Sequence, residues 1–567
     1  MIISKFTNAL ILSPLILFTS SLAAAPGRAQ DNPAPAPAQT FNEAIDRAIA
    51  SERGLYEKLK DRQPVVETYL QEMKGDSDLG TAPEKDFYFL GKMNLLTGVA
   101  DASLLPGSII KSTLRSAVSP VVVWNDFFPR GFASRMFIDK EFDRGHYQFE
   151  YVRREFIGDV RCIVADVRPA KSAGKGRFMG RIWVEDRDYN IVRFSGTYGT
   201  VRAGYLHFDS WRINTGPHVW VPACIYTEEA SYGSGPFKKT MVKGQTRFWN
   251  YEARRNQADE TFTNLTVEMT QPVKDQSEAA AEPSPLEAQR MWQRQAEDNV
   301  IDRLQKAGLV SPPGEVDKVL ETVVNNLLVT SNVDVEPPIR VRVMPTTPLE
   351  SVAVGHTIVI SRGLIDVLPD EACLAAALAQ EVAHIVLGHT INTEYAFADR
   401  LQFDDRETLS DVALARSSQE EDAADAKALE LLKNSPYKDK LPRVGIFLRM
   451  LSARSEQLPH LIKPLMGNRV SDTHEDLRLT GLMDAAPELQ PKNTEQIAAL
   501  PLGSRIKLDP WTDQVLMKKT HAVPLLSAKE KLPFEITPFM LHLTREEDAG
   551  ANVTNADAAA AAGGKRY

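Results

Sequence analysis

The chain has 567 residues and carries 66 Lys and Arg against 75 Asp and Glu, a net charge of −9. At about 150 residues per domain this length predicts roughly three to four domains, and the ordinary content of apolar residues (43%) and charged residues (25%) excludes a wholly disordered or fibrous chain. The acidic balance argues against nucleic acid as a partner, because phosphate binding needs a concentrated basic surface.

The first 29 residues have the pattern of an export signal. Lys5 supplies a positive charge, and the apolar stretch Ala9–Phe18 that follows is too short to span a bilayer. Small residues come next, and Ala29 is a candidate cleavage position. The pattern predicts a signal peptide over residues 1–29 and a periplasmic or secreted protein of bacterial type, with no transmembrane span after signal removal. An uncleaved membrane anchor is the alternative.

Residues 41–274 are predicted to form a helical lead-in followed by an antiparallel sheet. Helical periodicity extends from Phe41 to about Lys74, and short alternating runs follow from about Phe87 to Glu252. Runs at a spacing of about 8–12 residues, separated by Gly, Asp and Asn, are typical of a meander of strands.

The successive strands resemble the curved half-barrel of periplasmic lipoprotein-carrier proteins. This resemblance implies a lipid or lipoprotein ligand in the sheet domain, whereas a scaffold sheet without ligand is the alternative. Cys162 and Cys224 both lie in strand-like segments, where they could form a disulfide in an oxidising compartment. Cys373, in a later apolar helix, is predicted to be a small buried hydrophobe.

The second half of the chain is predicted to be mainly helical, so that the fold class is multidomain α+β. Helices are expected at Glu287–Ala307 and Gly314–Leu328, and a short strand at Ile339–Met344. After the sheet, the sequence predicts an acidic linker at residues 275–285 and a mainly helical domain at residues 286–490. A small β-rich appendage at residues 500–545 and a disordered tail at residues 549–567 are predicted to follow.

The helical domain contains a strand followed by two informative helices. Ala353–Ser361 is predicted to be a strand because it is rich in β-branched residues. Pro369 and Asp370 then open a helix, with proline in the first turn and Asp370 as the cap. A further helix is expected at Gln419–Lys433.

The two helices carry candidate metal ligands. Because residues four apart share one helical face, Gln380 and His384 can point at one metal ion. Glu381 lies between them, where a general base would meet a metal-bound water. The second helix holds Glu421 and Asp425, again four apart, and a Glu from a separate helix is a usual third protein ligand of zinc.

Four segments of this domain, in this order, resemble the gluzincin family of zinc metallopeptidases, which includes the HtpX-like proteases and the CAAX prenyl proteases. They are ISRGLIDVL, AQEVAHIVLGH, EDAAD and THEDLR. The resemblance implies that His384 and Glu421 bind one zinc ion per chain and that Glu381 is the general base. It also implies that Asp425 orients the site and that His474 reaches the active-site cleft.

Gln380 departs from this family, in which a histidine is the first zinc ligand. A neutral amide oxygen is a poorer donor than imidazole, since zinc favours N and S ligands. One interpretation is that zinc binds weakly through His384, Glu421 and the Gln380 oxygen. In that case Asp425 could accept a hydrogen bond from the Gln380 amide. The other interpretation is that the site is inactive and the fold is kept as a binding module.

Two other histidines and one glutamate bear on this choice. His389 follows His384 by five residues, about 140° round a helix, and is therefore predicted to face away from the site. His356, on the preceding strand, is a candidate substitute ligand, with a packing role as the alternative. In the family this strand is an edge to which extended peptide substrates add, and Glu350 replaces the Asn that usually begins the segment.

Three functions follow from these alternatives. The first is a zinc endopeptidase of the cell envelope, in which Glu381 activates a water for peptide bond hydrolysis. The second is a pseudopeptidase that binds extended envelope polypeptides without cutting them. The third is a carrier of lipids or lipoproteins that acts through the sheet domain.

Overall fold

The computed structural model describes residues 37–78, 80–94, 98–103, 132–138, 141–171, 173, 176–198, 207–231, 240–253, 285–391, 414, 416–462, 478–503, 506–508, 515–517, 534–539 and 541–545. The predicted signal peptide, the predicted disordered tail and His474 lie outside these residues, as does the predicted linker up to residue 284.

Ten strands form one antiparallel sheet in the described first half of the chain. They are β1 (Arg62–Asp76), β2 (Gly80–Asn94), β3 (Gly98–Ser103), β4 (Tyr147–Ile157), β5 (Val160–Pro169), β6 (Phe178–Glu185), β7 (Ile191–Tyr198), β8 (His207–Gly216), β9 (Val219–Ser231) and β10 (Thr240–Ala253). Their order is β3-β2-β1-β10-β9-β8-β7-β6-β5-β4, and neighbouring strands are antiparallel. The predicted α+β class with an N-terminal antiparallel sheet is confirmed.

Helix α1 (Phe41–Leu59) covers one face of this sheet. Thr40 caps the helix by accepting the Glu43 N–H (3.2 Å), and the apolar side chains of α1 share a buried cluster with those of β5, β6 and β7. Glu52 accepts two hydrogen bonds from Arg212 on β8 (2.6 and 2.8 Å), and both side chains are buried. Because breaking one side of a buried ion pair is strongly destabilising, α1 is a fixed part of the sheet domain.

The predicted helix from Phe41 to Lys74 is wrong in its second half, because the helix ends at Leu59 and β1 begins at Arg62. Five apolar residues of β1 have a spacing typical of a helix: Val65, Val66, Tyr69, Leu70 and Met73. Three of the polar residues between them, Glu67, Thr68 and Gln71, are buried as well and form hydrogen bonds with other elements. The apolar pattern alone therefore gave the wrong period.

A segment near the C-terminus covers part of the other face of the sheet. Phe539 and Leu543 join a buried cluster of strand residues. Leu543 O accepts the Asp159 N–H (2.8 Å), and a Cβ on Gly158 would meet the Leu543 backbone at 2.5 Å. Only glycine permits this close approach, which is made at a left-handed φ of 62°.

The three cysteines are buried. Cys162 and Cys224 lie in the same cluster on this second face of the sheet, and no disulfide joins them. Burial raises the pKa of the Cys162 thiol to about 12. Cys373 is 1% exposed, so its prediction as a buried hydrophobe is confirmed.

The other described elements are mainly helical. They are α2 (Pro285–Lys306), α3 (Glu315–Thr330), β11 (Arg340–Met344), β12 (Ser351–Val354), β13 (Thr357–Ser361), α4 (Arg362–Val367), α5 (Glu371–Val386), α6 (Ser418–Asn434), α7 (Leu441–Arg454), α8 (Pro459–Ile462) and α9 (Thr480–Asp484). Strands β11, β13 and β12 form a sheet in that order, with β13 parallel to β11 and antiparallel to β12. Helices α3, α5 and α6 share one buried core with this sheet. None of the described helices is both long enough and apolar enough to cross a membrane.

The predicted strand Ala353–Ser361 is in fact a hairpin of two strands. The turn consists of Gly355 and His356, and Val354 lies opposite Thr357 across it. Gly355 has a left-handed φ of 55°, which suits glycine in a two-residue turn. The apolar residues on both sides of the turn are buried, so the sequence has no polar break there.

A buried carboxylate joins the two halves of the chain. Glu67 on β1 is 1% exposed and accepts hydrogen bonds from the Thr347 N–H (2.6 Å), the Thr347 hydroxyl (2.7 Å) and the Tyr88 hydroxyl (3.0 Å). Arg247 on β10 donates to Glu67 from Nε (2.9 Å) and also to Pro345 O. Because Pro345 and Thr347 lie between β11 and β12, this network holds the small sheet against the large one.

The described part of the predicted C-terminal appendage contains one more sheet. Its strands are β14 (Ile506–Leu508) and β15 (Val515–Met517), which are antiparallel. Leu502 forms an isolated bridge with Ile536. The β-rich character of residues 500–545 stays a prediction, since more than half of the segment lies outside the described residues.

Candidate functional site

Helix α5 carries the central residues of the candidate site. Asp370 caps the helix as predicted, accepting the backbone N–H three residues further on (3.0 Å), whereas Pro369 precedes the cap and lies outside the first turn. Gln380, Glu381 and His384 are 1%, 1% and 0% exposed. Their polar atoms therefore interact away from bulk water, where electrostatic effects are strong.

Helix α6 brings Glu421 to the same point. Ser417 and Glu420 form a capping box that fixes the start of α6. Glu421 Oε1 lies 3.5 Å from His384 Nε2, and Glu421 Oε2 accepts a hydrogen bond from the Gln380 amide (3.2 Å). The fold thus brings together the three residues that the sequence assigned to a metal.

Asp425 lies one turn further along α6. Its Oδ2 accepts the Leu479 N–H (2.6 Å), just before α9. Burial raises the pKa of Asp425 to about 6, although the Leu479 N–H and the Gln380 amide act in the opposite direction. The observed contact of Asp425 connects α6 to the segment that leads into α9.

Arg478 is the site residue that the sequence analysis missed. It is 7% exposed, and its Nη1 donates to Glu381 Oε1 (2.8 Å) while its Nε lies 3.2 Å from Glu421 Oε2. Ser351, on β12, donates to the same Glu381 oxygen (2.8 Å). The THEDLR segment, which ends in Arg478, could have indicated this residue. The family resemblance, however, implies a role only for His474 in that segment.

These contacts set the charge state of the site. Burial alone would raise the pKa of Glu421, but His384, Arg478 and Gln380 outweigh burial and lower it to about 2. Burial would also lower the pKa of Arg478, and the carboxylates of Glu381 and Glu421 outweigh that effect and raise it. Glu421 and Arg478 are therefore an ionised, buried pair at neutral pH.

His389 contacts the site, so the prediction that it faces away is wrong. Helix α5 ends at Val386, and Gly388 has a left-handed φ of 71° that turns the chain back. His389 Nδ1 then lies 2.9 Å from His384 Nδ1. Burial is the main cause that lowers the pKa of His389, and His384 adds to it.

His356 is held outside the site. Its Nδ1 lies 2.8 Å from Pro337 O, at the turn between β12 and β13. Burial lowers the pKa of its imidazole. The contact with Pro337 agrees with the packing role and not with a substitute metal ligand.

Strand β12, at the edge of the small sheet, is itself covered. All four of its residues are buried, and Arg416 Nη2 donates to Ala353 O (2.7 Å). Glu350, which precedes the strand, is 1% exposed and its N–H donates to Ser361 Oγ (3.1 Å). An extended peptide that added to this edge would have to displace Arg416.

The donor set does not match a catalytic zinc site. Such sites usually have three protein ligands of the histidine, carboxylate or thiolate type. Here the donors are His384, Glu421 and an amide, and Glu421 is already bonded to Gln380 and paired with Arg478. Among the described residues, which exclude His474, no group of three His, Cys, Asp or Glu side chains is arranged to hold a metal ion.

Comparison of the chain with models of protein families finds no match, and no curated protein matches it either. The resemblance to gluzincin peptidases therefore depends on the four short segments and on the arrangement of their residues.

Proposed function

We propose that the protein is an exported pseudopeptidase of the cell envelope, which binds extended polypeptides without hydrolysing them. The order of the four motif segments supports a gluzincin type of helical domain. So does the pair of helices α5 and α6, on which Glu381, His384 and Glu421 converge. The signal-like N-terminus supports export to the periplasm or beyond.

The position of Arg478 carries the proposal. A general base must take a proton from a water held at the reaction centre. Glu381 instead accepts hydrogen bonds from Arg478 and Ser351 at one oxygen. Glu421 is paired with the same arginine and bonded to Gln380. An internal cation therefore lies against both carboxylates and partly offsets their charge.

The proposal places peptide binding at the edge strand β12, where a peptide would have to displace Arg416. Main-chain hydrogen bonding to a sheet edge is a common way to bind an extended peptide with little dependence on its sequence. Strand β12 lies at such an edge, and Ser351 on this strand donates a hydrogen bond to Glu381. Arg416 bonds one of its carbonyl groups, and a peptide N–H could take the place of that bond.

Zinc-dependent peptide hydrolysis is the second candidate function. Several buried atoms at the site have no hydrogen-bond partner among the described residues, and three of them belong to the candidate metal ligands: Gln380 Oε1, His384 Nε2 and Glu421 Oε1. Zinc would have to bind at these atoms, with Glu381 as the general base and His474 in the cleft. Unsatisfied buried polar atoms in a folded protein call for an explanation, and a bound cation would be one.

Metal content and peptide hydrolysis separate the two candidates. We expect the wild-type protein, purified from the periplasm, to contain far less than one zinc ion per chain by mass spectrometry. It should release labelled peptides from casein no faster than Glu381→Gln does, and should bind reduced, unfolded casein in an anisotropy assay. Stoichiometric zinc with cleavage that is lost in Glu381→Gln would establish the enzyme instead, and absence of casein binding would refute the binding role.

A further inference from the structure

The unpartnered atoms of the three candidate metal ligands lie at one buried point. Gln380, His384 and Glu421 are 1%, 0% and 7% exposed. His384 Nε2 and Glu421 Oε1 are 3.5 Å apart, and the Gln380 amide donates to the other oxygen of Glu421 (3.2 Å). Because a buried polar atom without a hydrogen-bond partner is costly, three of them at one point indicate a ligand there.

All three atoms act as hydrogen-bond acceptors. An amide oxygen and an ionised carboxylate oxygen can only accept. For His384, Nδ1 lies 2.9 Å from His389 Nδ1, so one of these two nitrogens carries the shared proton. A proton on His384 Nε2 would have no acceptor among the described residues. The proton of His384 is therefore assigned to Nδ1, so that Nε2 accepts, and a ligand at this point needs three donors.

The charges around these atoms favour a cationic ligand. Glu381 and Glu421 are buried carboxylates, and Arg478 lies within ion-pair distance of both. Arg416 and Glu420, at the start of α6, have opposite charges and interact with each other. Three carboxylates and two guanidinium groups leave one negative charge, which a ligand with a single positive charge would neutralise.

A primary ammonium group matches both requirements, because it has three N–H donors and one positive charge. Water has only two donors, and the donors of a guanidinium group lie in one plane. We infer that Gln380, His384 and Glu421 bind a primary ammonium group of the extended polypeptide, at the place where gluzincin peptidases bind zinc. The ammonium group belongs either to a lysine side chain or to the N-terminus of that polypeptide. This inference rests on the proposed function, in which the polypeptide lies along β12.

A small cavity lies between this edge strand and the first of the three acceptors. Ser351 of β12, Gln380 and Arg478 line it, together with residues of α5 and α7. Its volume of about 20 Å³ is enough for one group of the size of water, and an ammonium group has a similar size. An ammonium group that enters beside β12 therefore meets Gln380 first.

Calorimetric titration of the full-length, metal-free protein with short extended peptides tests the inference. The peptides are blocked at both ends and differ only at the central residue, which is lysine, norleucine or trimethyllysine. We expect the lysine peptide to bind at least about tenfold more tightly than the norleucine peptide. Trimethyllysine keeps the charge but has no N–H donor, so its peptide should also bind at least about tenfold more weakly than the lysine peptide.

A norleucine peptide with a free N-terminus distinguishes the two sources of the ammonium group. Tighter binding of this peptide than of its blocked form would assign the ammonium group to the N-terminus. If neither the lysine peptide nor the peptide with a free N-terminus binds more tightly than the blocked norleucine peptide, the inference is wrong. Equal binding of the lysine and trimethyllysine peptides would refute the three-donor site for a lysine side chain.

Gln380→Met and Gln419→Met form a matched pair of variants, since methionine is close to glutamine in size and Gln419 is exposed on α6. Gln380→Met should reduce the preference for the ammonium group at least about threefold, because one acceptor is lost. Gln419→Met should leave the preference unchanged. A preference is a ratio of two affinities for one variant, so a general loss of binding does not affect it.

Equal effects of the two variants would overturn the inference. The casein assay separates its failure from failure of the proposed function. Casein binding without any preference for an ammonium group would refute this inference alone. Absence of casein binding would refute the proposed binding role itself.

Discussion

One buried arginine determines the chemistry of the candidate site at the scale of single residues. Arg478 lies within hydrogen-bonding or ion-pair distance of Glu381 and Glu421, which come from two different helices. A buried carboxylate without a partner is costly, and two of them side by side cost more because they repel. The amide of Gln380 and the presence of this cation are therefore consistent with a site that does not need a metal for stability.

Removal of this guanidinium should destabilise the protein strongly. Arg478→Met leaves Glu381 and Glu421 buried without their cation, so we expect the free energy of unfolding to fall by about 3–5 kcal/mol. Arg443→Met is the control, because Arg443 is largely exposed and lies 3.4 Å from Asp370; its effect should stay below about 1 kcal/mol. Urea denaturation measures both, and equal effects would show that Arg478 is not needed to balance the two carboxylates.

At the scale of elements, the position of β12 depends on the large sheet as well as on the helices. The connection before β12 is bound through Thr347 to Glu67, a residue of β1. Ser351 on the same strand contacts Glu381. The N-terminal sheet therefore contributes to the geometry of the candidate site, although it lies far from the site in sequence.

Loss of the charge on Glu67 should loosen this connection. Glu67→Gln weakens the bonds from Arg247 and from the Thr347 backbone in a buried place, and we expect a loss of about 2–4 kcal/mol in the free energy of unfolding. Glu84→Gln changes an exposed carboxylate on β2 that pairs with Lys74, and should cost less than about 0.5 kcal/mol. Both can be measured by urea denaturation, and a small effect of Glu67→Gln would contradict the role of this network.

The start of α3 should give the stability a measurable pH dependence. Burial raises the pKa of Asp317 to about 6 from an ordinary 3.8, although the Gly314 N–H and Arg342 act in the opposite direction. Between these values the folded state binds more protons than the unfolded state, so this group makes the free energy of unfolding fall as the pH rises from about 4 to about 6. Asp317→Asn removes the effect.

The stability of Asp317→Asn relative to the wild type should therefore increase over that pH range, by about 1–2 kcal/mol. Denaturation at pH 4, 5 and 6 measures this difference. Asp334→Asn, at an exposed position outside the helices, is the control and should show no such trend. A difference between Asp317→Asn and the wild type that stays constant with pH would contradict the raised pKa.

For the whole molecule, features that depend on short sequence segments were predicted better than features that depend on contacts between distant residues. The spacing of the strands predicted the large sheet, and Asp370 predicted the start of α5, because both signals are contained in short segments. The spacing of four residues on α5 also predicted that Gln380 and His384 share one face, and this rule is local too. The meeting of His384 with Glu421 was implied by the family resemblance and not by spacing.

Two side-chain positions and one strand could not be predicted from the sequence, because distant contacts or a turn determine them. The contact between Arg478 and Glu381 joins residues 97 positions apart, which no periodicity can indicate. His389 reaches His384 because Gly388 turns the chain after α5, so the helical angle did not apply. In β1, polar residues buried by contacts with other elements hid the strand.

The most direct test of the whole account is a calorimetric zinc titration of the metal-free protein and of Gln380→His. Gln380→His introduces an imidazole at the position where the resemblance to gluzincin peptidases implies the first ligand. Gln148→His introduces one at an exposed position on β4 and is the control. We predict that Gln380→His binds one zinc ion per chain, and that the wild type and Gln148→His bind zinc at least about 100-fold more weakly. One zinc ion bound by the wild type with an affinity similar to that of Gln380→His would contradict the assignment as a pseudopeptidase.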